Sequence, residues 1–435
     1  LGLNASVVHE GLDALVPRII EAAADTPGPD ETLARCFDLL EAISRRGAYL
    51  ALLQQYPQAL RRVTDLMGAS RWAAQYLTRH PILLDELLDD RHLDVEPDWA
   101  RFRSELAEHL DAIEPDMEHQ MDMMREQHHA QVFRLLTQDI AGKLTVERLA
   151  DHLSALADLV LELALPLAWR KIKNRHRDTP RFAVIAYGKL GGKELGYASD
   201  LDIVFVFDDD APEALELYSR FAQRLNTWLS SQTAAGVLFE TDLRLRPNGD
   251  SGLLACSVEA FRKYQLESAW VWEHQALTRA RFAAGDRTIG DAFEQIRCDV
   301  LCQERDPATL RAEVVAMRRK MRDANPGKRG LFDLKHDAGG LIDVEFLVQY
   351  LVLGNARQHP SLTGNLGNIA LLKIAGGLGL IPLELATTCG DSYRHMRHLQ
   401  HRQRLNGLSS RIDLAEAADA AEPVKQLWQA VFGEA

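Results

Sequence analysis

Apolar and polar residues repeat with two different periods along this chain, and the change of period divides it into three parts. Up to about residue 165 apolar side chains recur at helical spacing, as in Leu33–Ile43 and Leu83–Leu88. Short apolar and alternating runs of strand length then follow, before helical spacing returns near residue 286. The pattern predicts an α+β fold that is mostly helical, with a small mixed β-sheet between N-terminal helices and a C-terminal helical bundle.

The turn signals between these parts predict where the domains meet. A polar segment that ends at Pro180 separates the last N-terminal helix from the first strand. We expect an N-terminal helical domain over residues 1–165, a catalytic domain over 166–285 and a C-terminal helical bundle over 286–435. Within the first domain, Pro115 is expected to divide one long helical run into two helices, since proline suits the first turn of a helix and not its interior.

The segment from Phe182 to Phe207 combines features that no other part of the sequence has together. It predicts a buried strand, a glycine-rich loop and a second strand. Asp200 and Asp202 open the second strand, and residues two apart in a strand point to the same side. Neighbouring carboxylates beside flexible backbone suit a hard divalent cation and a polyphosphate. An Asp-x-Asp pair alone is a weak signal, since such acids are often ordinary loop residues.

A third strand is predicted over Gly236–Pro247, where polar and apolar residues alternate. The residues expected on one of its faces are Leu238, Glu240, Asp242, Arg244 and Arg246. Taken alone, this charged face is most simply a solvated one. Beside the first two aspartates, however, Asp242 completes a trio of carboxylates, and Arg244 and Arg246 can face phosphates.

This ordered set suits two-metal nucleotidyl transfer, in which carboxylates hold Mg²⁺ against a triphosphate. Asp200 and Asp202 are expected to bridge the metals, while Asp242 binds the metal on the nucleophile side and assists deprotonation. Backbone N–H groups of the glycine loop can approach phosphate oxygens, and Lys189 and Lys193 can add positive charge. The loop is neither a P-loop nor a dinucleotide-binding turn, because it leads into a strand and not into a helix.

These motifs resemble the polymerase-β-type nucleotidyltransferase superfamily, whose pattern is a glycine with a small residue, a spacer and then Asp-x-Asp. Lys189 stands where the small residue is usual. The longer segment Tyr187–Asp202 resembles the glutamine-synthetase adenylyltransferase family more specifically. Further matching segments are Asp242–Pro247, Trp272–Ala276, Arg279–Arg281 and Gly339–Phe346. The nucleotide contacts expected from motif and resemblance are Gly188, Lys189, Gly191, Gly192, Ser199, Arg244 and Arg246.

The resemblance implies a half of a bifunctional enzyme, because the family has two such catalytic halves and this chain has one site. One half transfers AMP from ATP to a tyrosine of glutamine synthetase, and the other removes AMP by phosphorolysis. The residues of the core motif resemble the C-terminal, adenylylating half more closely than the other half, although the same carboxylates serve both directions. A non-catalytic module that binds a nucleotide or a regulator is a third interpretation. The implied cofactor is Mg²⁺, and the implied partners are glutamine synthetase, the PII signal protein and ATP.

Composition narrows the class of protein. The net charge of −13 is opposite to that of a duplex-binding domain, so we expect no nucleic acid polymer as partner. No run of about 18 apolar residues occurs, so we expect no transmembrane helix and no membrane partner. The first residues also lack the features of a signal peptide. The five cysteines are scattered, with no zinc-site spacing around Cys298 and Cys302, so we expect free thiols and a cytoplasmic protein.

The remaining clusters are given structural interpretations. The methionines between Met117 and Met124 are expected to pack in a core, and the histidines of the same helix (His119, His128, His129) to lie at the surface or to cap the helix. Three further histidines interleave with arginines between Arg394 and Arg404. Their spacing drifts around a helix, so a solvated basic face is favoured over a metal site. The helical domains are expected to act as scaffolds, with docking of partners as the alternative.

Overall fold

The computed structural model describes residues 5–88, 95–365 and 367–433. Up to Arg170 these residues are helical, with a 3₁₀ segment at Pro81–Leu88. The α-helices of this part are α1 (Ala5–Ala24), α2 (Pro29–Ile43), α3 (Gly47–Gln55), α4 (Pro57–Ala69), α5 (Arg71–Arg79), α6 (Trp99–Ala112), α7 (Met117–Ile140) and α8 (Val146–Arg170).

Local sequence determines where these helices begin. α7 starts after Asp116, whose Oδ1 accepts a hydrogen bond from the His119 N–H at 3.1 Å, and α8 starts after Thr145, whose hydroxyl accepts from the Arg148 N–H at 3.2 Å. Such caps satisfy N–H groups that have no partner inside the helix. The predicted break at Pro115 is confirmed, since α6 ends at Ala112 and α7 begins at Met117.

Five short strands form the predicted mixed sheet. β1 (Phe182–Ala186) lies antiparallel to β2 (Leu201–Phe207) on one side and to β5 (Arg281–Gly285) on the other. β3 (Thr241–Asp242) and β4 (Ala255–Ser257) both run parallel to β2, at its start and its end respectively. Two helical elements connect the strands, α9 (Gly188–Gly191) between β1 and β2 and α10 (Ala214–Ser230) after β2.

The sheet is covered on both faces, and the alternation of its side chains assigns each to one core. Phe182 and Val184 pack into a core shared with the N-terminal helices. Ala183 and Ile185 belong to a second core shared with the C-terminal helices. Because both faces of the sheet are buried, every residue of β1 is apolar, and polar and apolar residues do not alternate along it. The sheet is thus the middle layer between two helical layers.

The C-terminal layer begins after β4 and continues beyond β5. Its α-helices are α11 (Val258–Glu267), α12 (Val271–Leu277), α13 (Arg287–Leu301), α14 (Pro307–Asp323), α15 (Leu341–Asn355), α16 (Asn368–Gly377), α17 (Leu383–Leu405) and α18 (Leu414–Phe432). A separate antiparallel pair joins β6 (Leu331–Asp333) to β7 (Arg411–Asp413). The domain boundaries at residues 165 and 285 stay a prediction; α8 continues across the first of them as far as Arg170.

α8 is also the helix among the described residues that is long and apolar enough to cross a membrane by length and composition. Of its most apolar window, 72% is buried inside the protein. That burial is the behaviour of a core helix, and α8 indeed contributes Leu156 and Val160 to the first core.

The predicted third strand is much shorter than its sequence pattern suggested. Pairing is limited to Thr241 and Asp242, opposite Leu201 and Asp202. Upstream, the Phe239 N–H donates to the carbonyl of Leu229 at 3.0 Å. Downstream, the Arg244 N–H donates to the Asp242 carboxylate at 2.9 Å. These neighbouring backbone donors are engaged outside the ladder, so alternation alone did not produce a long strand.

Two predictions about histidines are wrong in part. His128 and His129 of α7 are buried, each with 7% exposure, whereas His119 is at the surface as expected. The basic face of α17 is solvated at His395 and His398, but His401 is half-buried and bonded to Asp139 of α7 at 2.8 Å. In both cases another element covers a polar residue, which helical spacing does not reveal. The methionine prediction is confirmed, because Met121 and Met124 are buried and Met117 and Met123 pack against the same core.

Candidate active site

Three carboxylates meet at the edge where β2 begins. Asp202 lies directly opposite Asp242 in the parallel pair of β2 and β3, and Asp200 precedes the first residue of β2. One oxygen from each lies within 4.8 Å of the others. The sequence therefore predicted correctly that Asp242 joins the first two aspartates. Oxygen ligands at this spacing are what hard cations such as Mg²⁺ take in proteins.

The electrostatics of the trio also fit a cation. Burial, Asp200 and Asp242 together raise the pKa of Asp202 to about 6. A positive ion among the three carboxylates relieves the repulsion that produces this shift. The residues present thus fit a divalent metal by their chemistry as well as by their spacing.

Gly188 makes room for Asp202. Its φ is +54°, a conformation that favours glycine. A Cβ on this residue would lie 2.1 Å from Oδ2 of Asp202. The backbone after β1 therefore approaches the carboxylate more closely than any residue with a side chain permits.

Arg244 holds Asp242 and extends the site towards solvent. Its Nε lies 3.0 Å from each carboxylate oxygen of Asp242, and its Nη2 also contacts Oδ2. These bonds are the main reason why the pKa of Asp242 is below its ordinary value. Arg246 is oriented differently, with its guanidinium bonded to the carbonyls of Leu243, Asp250 and Gly252. Its assignment to phosphate binding stays a prediction, for which this geometry offers no support.

The glycine loop is more ordered than a flexible phosphate cradle. It begins with the helical turn α9, and Gly191 and Gly192 pack against Arg279. A Cβ on Gly191 would lie 1.9 Å from the Arg279 carbonyl oxygen, and one on Gly192 would lie 2.6 Å from its guanidinium. Packing thus accounts for both glycines, and their contact with phosphate stays a prediction. Ser199 accepts a hydrogen bond from the Gly196 N–H at 3.1 Å and so shapes the turn before Asp200.

A buried ion-pair network holds this loop to the C-terminal helices. Glu194 accepts hydrogen bonds from Arg279 at 2.7 Å and from the Tyr393 hydroxyl at 2.8 Å. Arg279 also pairs with Glu345 of α15 at 3.0 Å. Burial raises the pKa of Glu194, but Arg279 and Arg397 outweigh it and hold the pKa below its ordinary value. Through this ion pair, the segment around Glu345 packs against the glycine loop.

Replacing Glu194 with Gln should destabilise the protein strongly. The change keeps the shape but leaves Arg279 with one anionic partner in a buried site, which typically costs about 3 kcal/mol. Thermal unfolding of the variant should therefore begin at a clearly lower temperature. Glu216→Gln is the matched control, because Glu216 is 76% exposed and 3.9 Å from Arg220; it should change stability by less than about 0.5 kcal/mol. Equal effects of the two changes would contradict the role of the network.

A cavity of about 350 Å³ borders the loop that leads to Asp200, and two lysines and two arginines stand among the apolar and polar residues that line it. We call it the cationic cavity. Its charged and polar lining includes Lys189, Lys335, Arg397, His401, Arg404 and Ser199, together with Glu194 and Glu345, which are both paired with Arg279. Neither Lys189 nor Lys335 forms a salt bridge with another described residue. Burial and Lys335 lower the pKa of Lys189, whereas Asp200 raises it. An anionic ligand in this cavity would relieve the repulsion between the two lysines.

Lys335, Arg397 and Arg404 were missed as site residues in the sequence. They come from the C-terminal layer, and Arg404 reaches the loop by donating to the Tyr197 carbonyl at 3.1 Å. The run of arginines on α17 was noticed, but a solvated face explained it equally well. In the sequence, only the matching segment Gly339–Phe346 indicated that this layer could contact the glycine loop.

Comparisons with known proteins agree with this geometry. The sequence profile of the glutamate–ammonia ligase adenylyltransferase family matches residues 60–296. A bifunctional glutamine synthetase adenylyltransferase/adenylyl-removing enzyme of Aromatoleum aromaticum is 78% identical over 98% of this chain and 46% of its own length. Relatives of the same name from Chromobacterium violaceum and Nitrosomonas europaea are each 56% identical, over 98% and 89% of this chain.

The chain spans about half the length of these curated relatives, with 47% and 42% coverage of the last two. The profile match includes the whole sheet, the three aspartates and the glycine loop. On the strength of that match and of the identity over nearly its full length, this chain belongs to the glutamate–ammonia ligase adenylyltransferase family.

Proposed function

We propose that this chain transfers AMP from ATP to a tyrosine hydroxyl of glutamine synthetase and releases pyrophosphate. The observation that carries the proposal is the carboxylate trio, with oxygens within 4.8 Å of one another. It stands beside a cavity lined by lysine and arginine. Nucleotidyl transfer needs both features, one to hold metal ions and one to hold the phosphates.

The three aspartates would hold Mg²⁺, which would polarise the α-phosphate and neutralise the leaving pyrophosphate. Asp202 of β2 lies opposite Asp242 of β3, and Asp200 comes just before β2. Arg244 fixes the Asp242 carboxylate through two bonds from its Nε. Asp242 is thereby oriented as the group that takes up the proton when the acceptor hydroxyl attacks.

The cationic cavity is the proposed place for the β- and γ-phosphates. Lys189 borders the cavity and directly follows Gly188, which touches Asp202. The phosphates would therefore lie beside the trio, on its Lys189 side. Arg397 and Arg404 are held by loop carbonyls, at 3.0 and 3.1 Å, so their positive charges are already in place when a nucleotide arrives.

Replacing Lys335 with Met should weaken the binding of Mg²⁺-ATP. The side chain is exposed and forms no salt bridge with another described residue, so its loss removes a phosphate contact and leaves the fold intact. A hydrogen bond to a charged group contributes on the order of 1.5–3 kcal/mol, so Kd should rise about tenfold or more. Calorimetric titration measures it. Lys173→Met, at an exposed position in another basic loop, should leave Kd unchanged; an unchanged Kd in Lys335→Met would move the phosphates elsewhere.

The reverse activity is the second candidate, because the relatives' name includes an adenylyl-removing enzyme and this chain covers about half of each. In that direction phosphate attacks the AMP–tyrosine bond and ADP is released. The same trio and cavity would serve both reactions. The residues of the core motif resemble the adenylylating half more closely, so we propose the forward direction.

One assay separates the directions. The protein is incubated with Mg²⁺-ATP and unmodified glutamine synthetase, and separately with phosphate and AMP-modified glutamine synthetase. Consumption of the unmodified protein, with pyrophosphate formed, supports the proposal. Consumption of the modified protein alone would replace it with the second candidate. A protein that binds Mg²⁺-ATP and consumes neither would be the non-catalytic module. The PII signal protein as regulator and a cytoplasmic location belong to the same proposal.

A further inference from the structure

A second cavity, of about 560 Å³, borders the same loop before Asp200. We call it the aromatic cavity, because rings from several distant segments line it. These rings include Trp72, Tyr76, His80, His129, Tyr197 and Phe239. Its volume is in the range of small-ligand sites in proteins. Nothing in the proposed function so far uses it.

The aromatic cavity reaches the carboxylates from the β3 side. Two of its wall residues, Ser199 and Glu240, directly precede Asp200 and Thr241. The two segments are joined there, since the Leu201 N–H donates to the Glu240 carbonyl at 2.9 Å. The cationic cavity shares Leu195, Gly196, Tyr197 and Ser199 with the aromatic cavity, but it includes Lys189 and no residue of the segment that leads to β3. The two cavities therefore meet at the loop before Asp200, and they differ in that one includes Lys189 and the other the segment that leads to Asp242.

The chemistry of the two cavities also differs. Burial lowers the pKa of His128, which lines the aromatic cavity, to about 3, and that of His129 to about 2. Both imidazoles are therefore uncharged at neutral pH. The charged residues Arg79 and Glu240 are of opposite sign and exposed at the rim. An uncharged planar ring suits this lining, whereas a polyphosphate suits the other cavity.

The walls of the aromatic cavity are held in place before any ligand binds. The ring of Trp72 stacks between Tyr76 and Tyr197, with centroid distances of 4.8 Å to each. Tyr197 in turn donates to Asp139 at 3.1 Å. On the opposite wall, the buried Arg125 donates to the carbonyl of Gly236 at 2.9 Å. A rigid cavity loses little conformational entropy when it takes up a ring.

We propose that the aromatic cavity receives the phenol ring of the acceptor side chain and presents its hydroxyl to the carboxylate trio. The proposal rests on the proposed function and adds the place where the acceptor is recognised. In the transfer, the phenolic oxygen forms a bond to the α-phosphorus of ATP while the bond from that phosphorus to pyrophosphate breaks. The phenolic proton passes to a carboxylate of the trio and then to solvent. The nucleotide occupies the cationic side and the acceptor ring the aromatic side.

The test fills the aromatic cavity with a bulky side chain. Val237 lines it and is half-buried, so Val237→Trp should exclude the acceptor ring. We expect kcat/KM for glutamine synthetase to fall at least about tenfold, while the Kd of Mg²⁺-ATP stays within twofold. Val315→Trp is the matched control, since Val315 is also half-buried and lines a remote cavity of about 420 Å³. It should leave both quantities unchanged. If Val237→Trp does not fold, Ala234→Trp, at an exposed position of the same wall, replaces it.

Two results in these variants would overturn the proposal. One is an unchanged kcat/KM for the acceptor in a folded Val237→Trp or Ala234→Trp variant. The other is weaker Mg²⁺-ATP binding in that variant, which would assign the cavity to the adenine ring. A binding measurement separates these results from failure of the proposed function itself. Saturation-transfer NMR with N-acetyl-tyrosinamide should show ring contact in the wild type and none in Val237→Trp, whether or not AMP is transferred. Absence of ring contact in a wild type that transfers no AMP would also overturn it.

Discussion

Replacing Asp202 with Asn is expected to abolish AMP transfer while the protein stays folded. The change removes one carboxylate of the trio, and with it a charge that holds metal ions against the phosphates. Loss of several kcal/mol of transition-state stabilisation corresponds to a rate reduction of at least about a hundredfold. The rate is measured by the transfer of labelled AMP from ATP to glutamine synthetase. Asp210→Asn, at an exposed acid after β2, is the control and should transfer AMP at the wild-type rate.

The same variant is expected to be more stable than the wild type at neutral pH when no metal is present. The pKa of Asp202 is about 6 in the folded protein and about 4 in an unfolded chain. Because the folded state binds this proton more tightly, the free energy of unfolding falls as pH rises from about 4 to about 6 and is then level. Asparagine carries no proton that titrates in this range, so the free energy of unfolding of the variant does not fall in this way. In EDTA the melting temperature of Asp202→Asn should exceed the wild-type value at pH 8, and the difference should shrink towards pH 4.

An unchanged transfer rate in Asp202→Asn would remove the trio from the active site. A lower melting temperature than wild type at pH 8 would mean instead that hydrogen bonds of Asp202 stabilise the fold more than charge repulsion destabilises it. The two measurements are independent, so the catalytic and the electrostatic statements are tested separately.

Replacing Gly188 with Ala is expected to have the second-largest effect, through both conformation and contact. The residue has φ of +54°, and an L-amino acid in this region costs about 1 kcal/mol. Its new Cβ would also lie 2.1 Å from Asp202 Oδ2, so the carboxylate must move. We expect AMP transfer to fall at least about tenfold, because displacement of a metal ligand by a fraction of an ångström disturbs the geometry of the site.

Gly142→Ala separates the two causes. Gly142 has φ of +70°, and a Cβ there would meet nothing within 4 Å. This variant should lose about 1 kcal/mol of stability and keep full activity. Gly188→Ala should lose activity as well. If both variants are equally active, the close approach of Gly188 to Asp202 does not matter for catalysis.

The sequence by itself determined the catalytic frame. β1 and β2 were predicted because their apolar runs are local and of strand length, and Asp200 and Asp202 follow from covalent spacing along one strand. Asp242 was placed beside them by its polarity in an alternating segment, and the pairing of β2 with β3 confirms that place. The family was indicated by a long continuous motif, which can be recognised without knowing which residues pack around it.

Tertiary structure alone decided what surrounds this frame. Lys335 and Arg404 reach the catalytic loop from the C-terminal layer, while Trp72 and His129 reach it from the N-terminal layer. A periodic pattern tells which face of a helix is apolar, but not which other segment covers a given polar residue. His129 was therefore expected at the surface and is buried, and Gly191 was expected at a phosphate and packs on Arg279. Both cavities are made by residues far apart in the chain, so their existence depends on packing that no local spacing records.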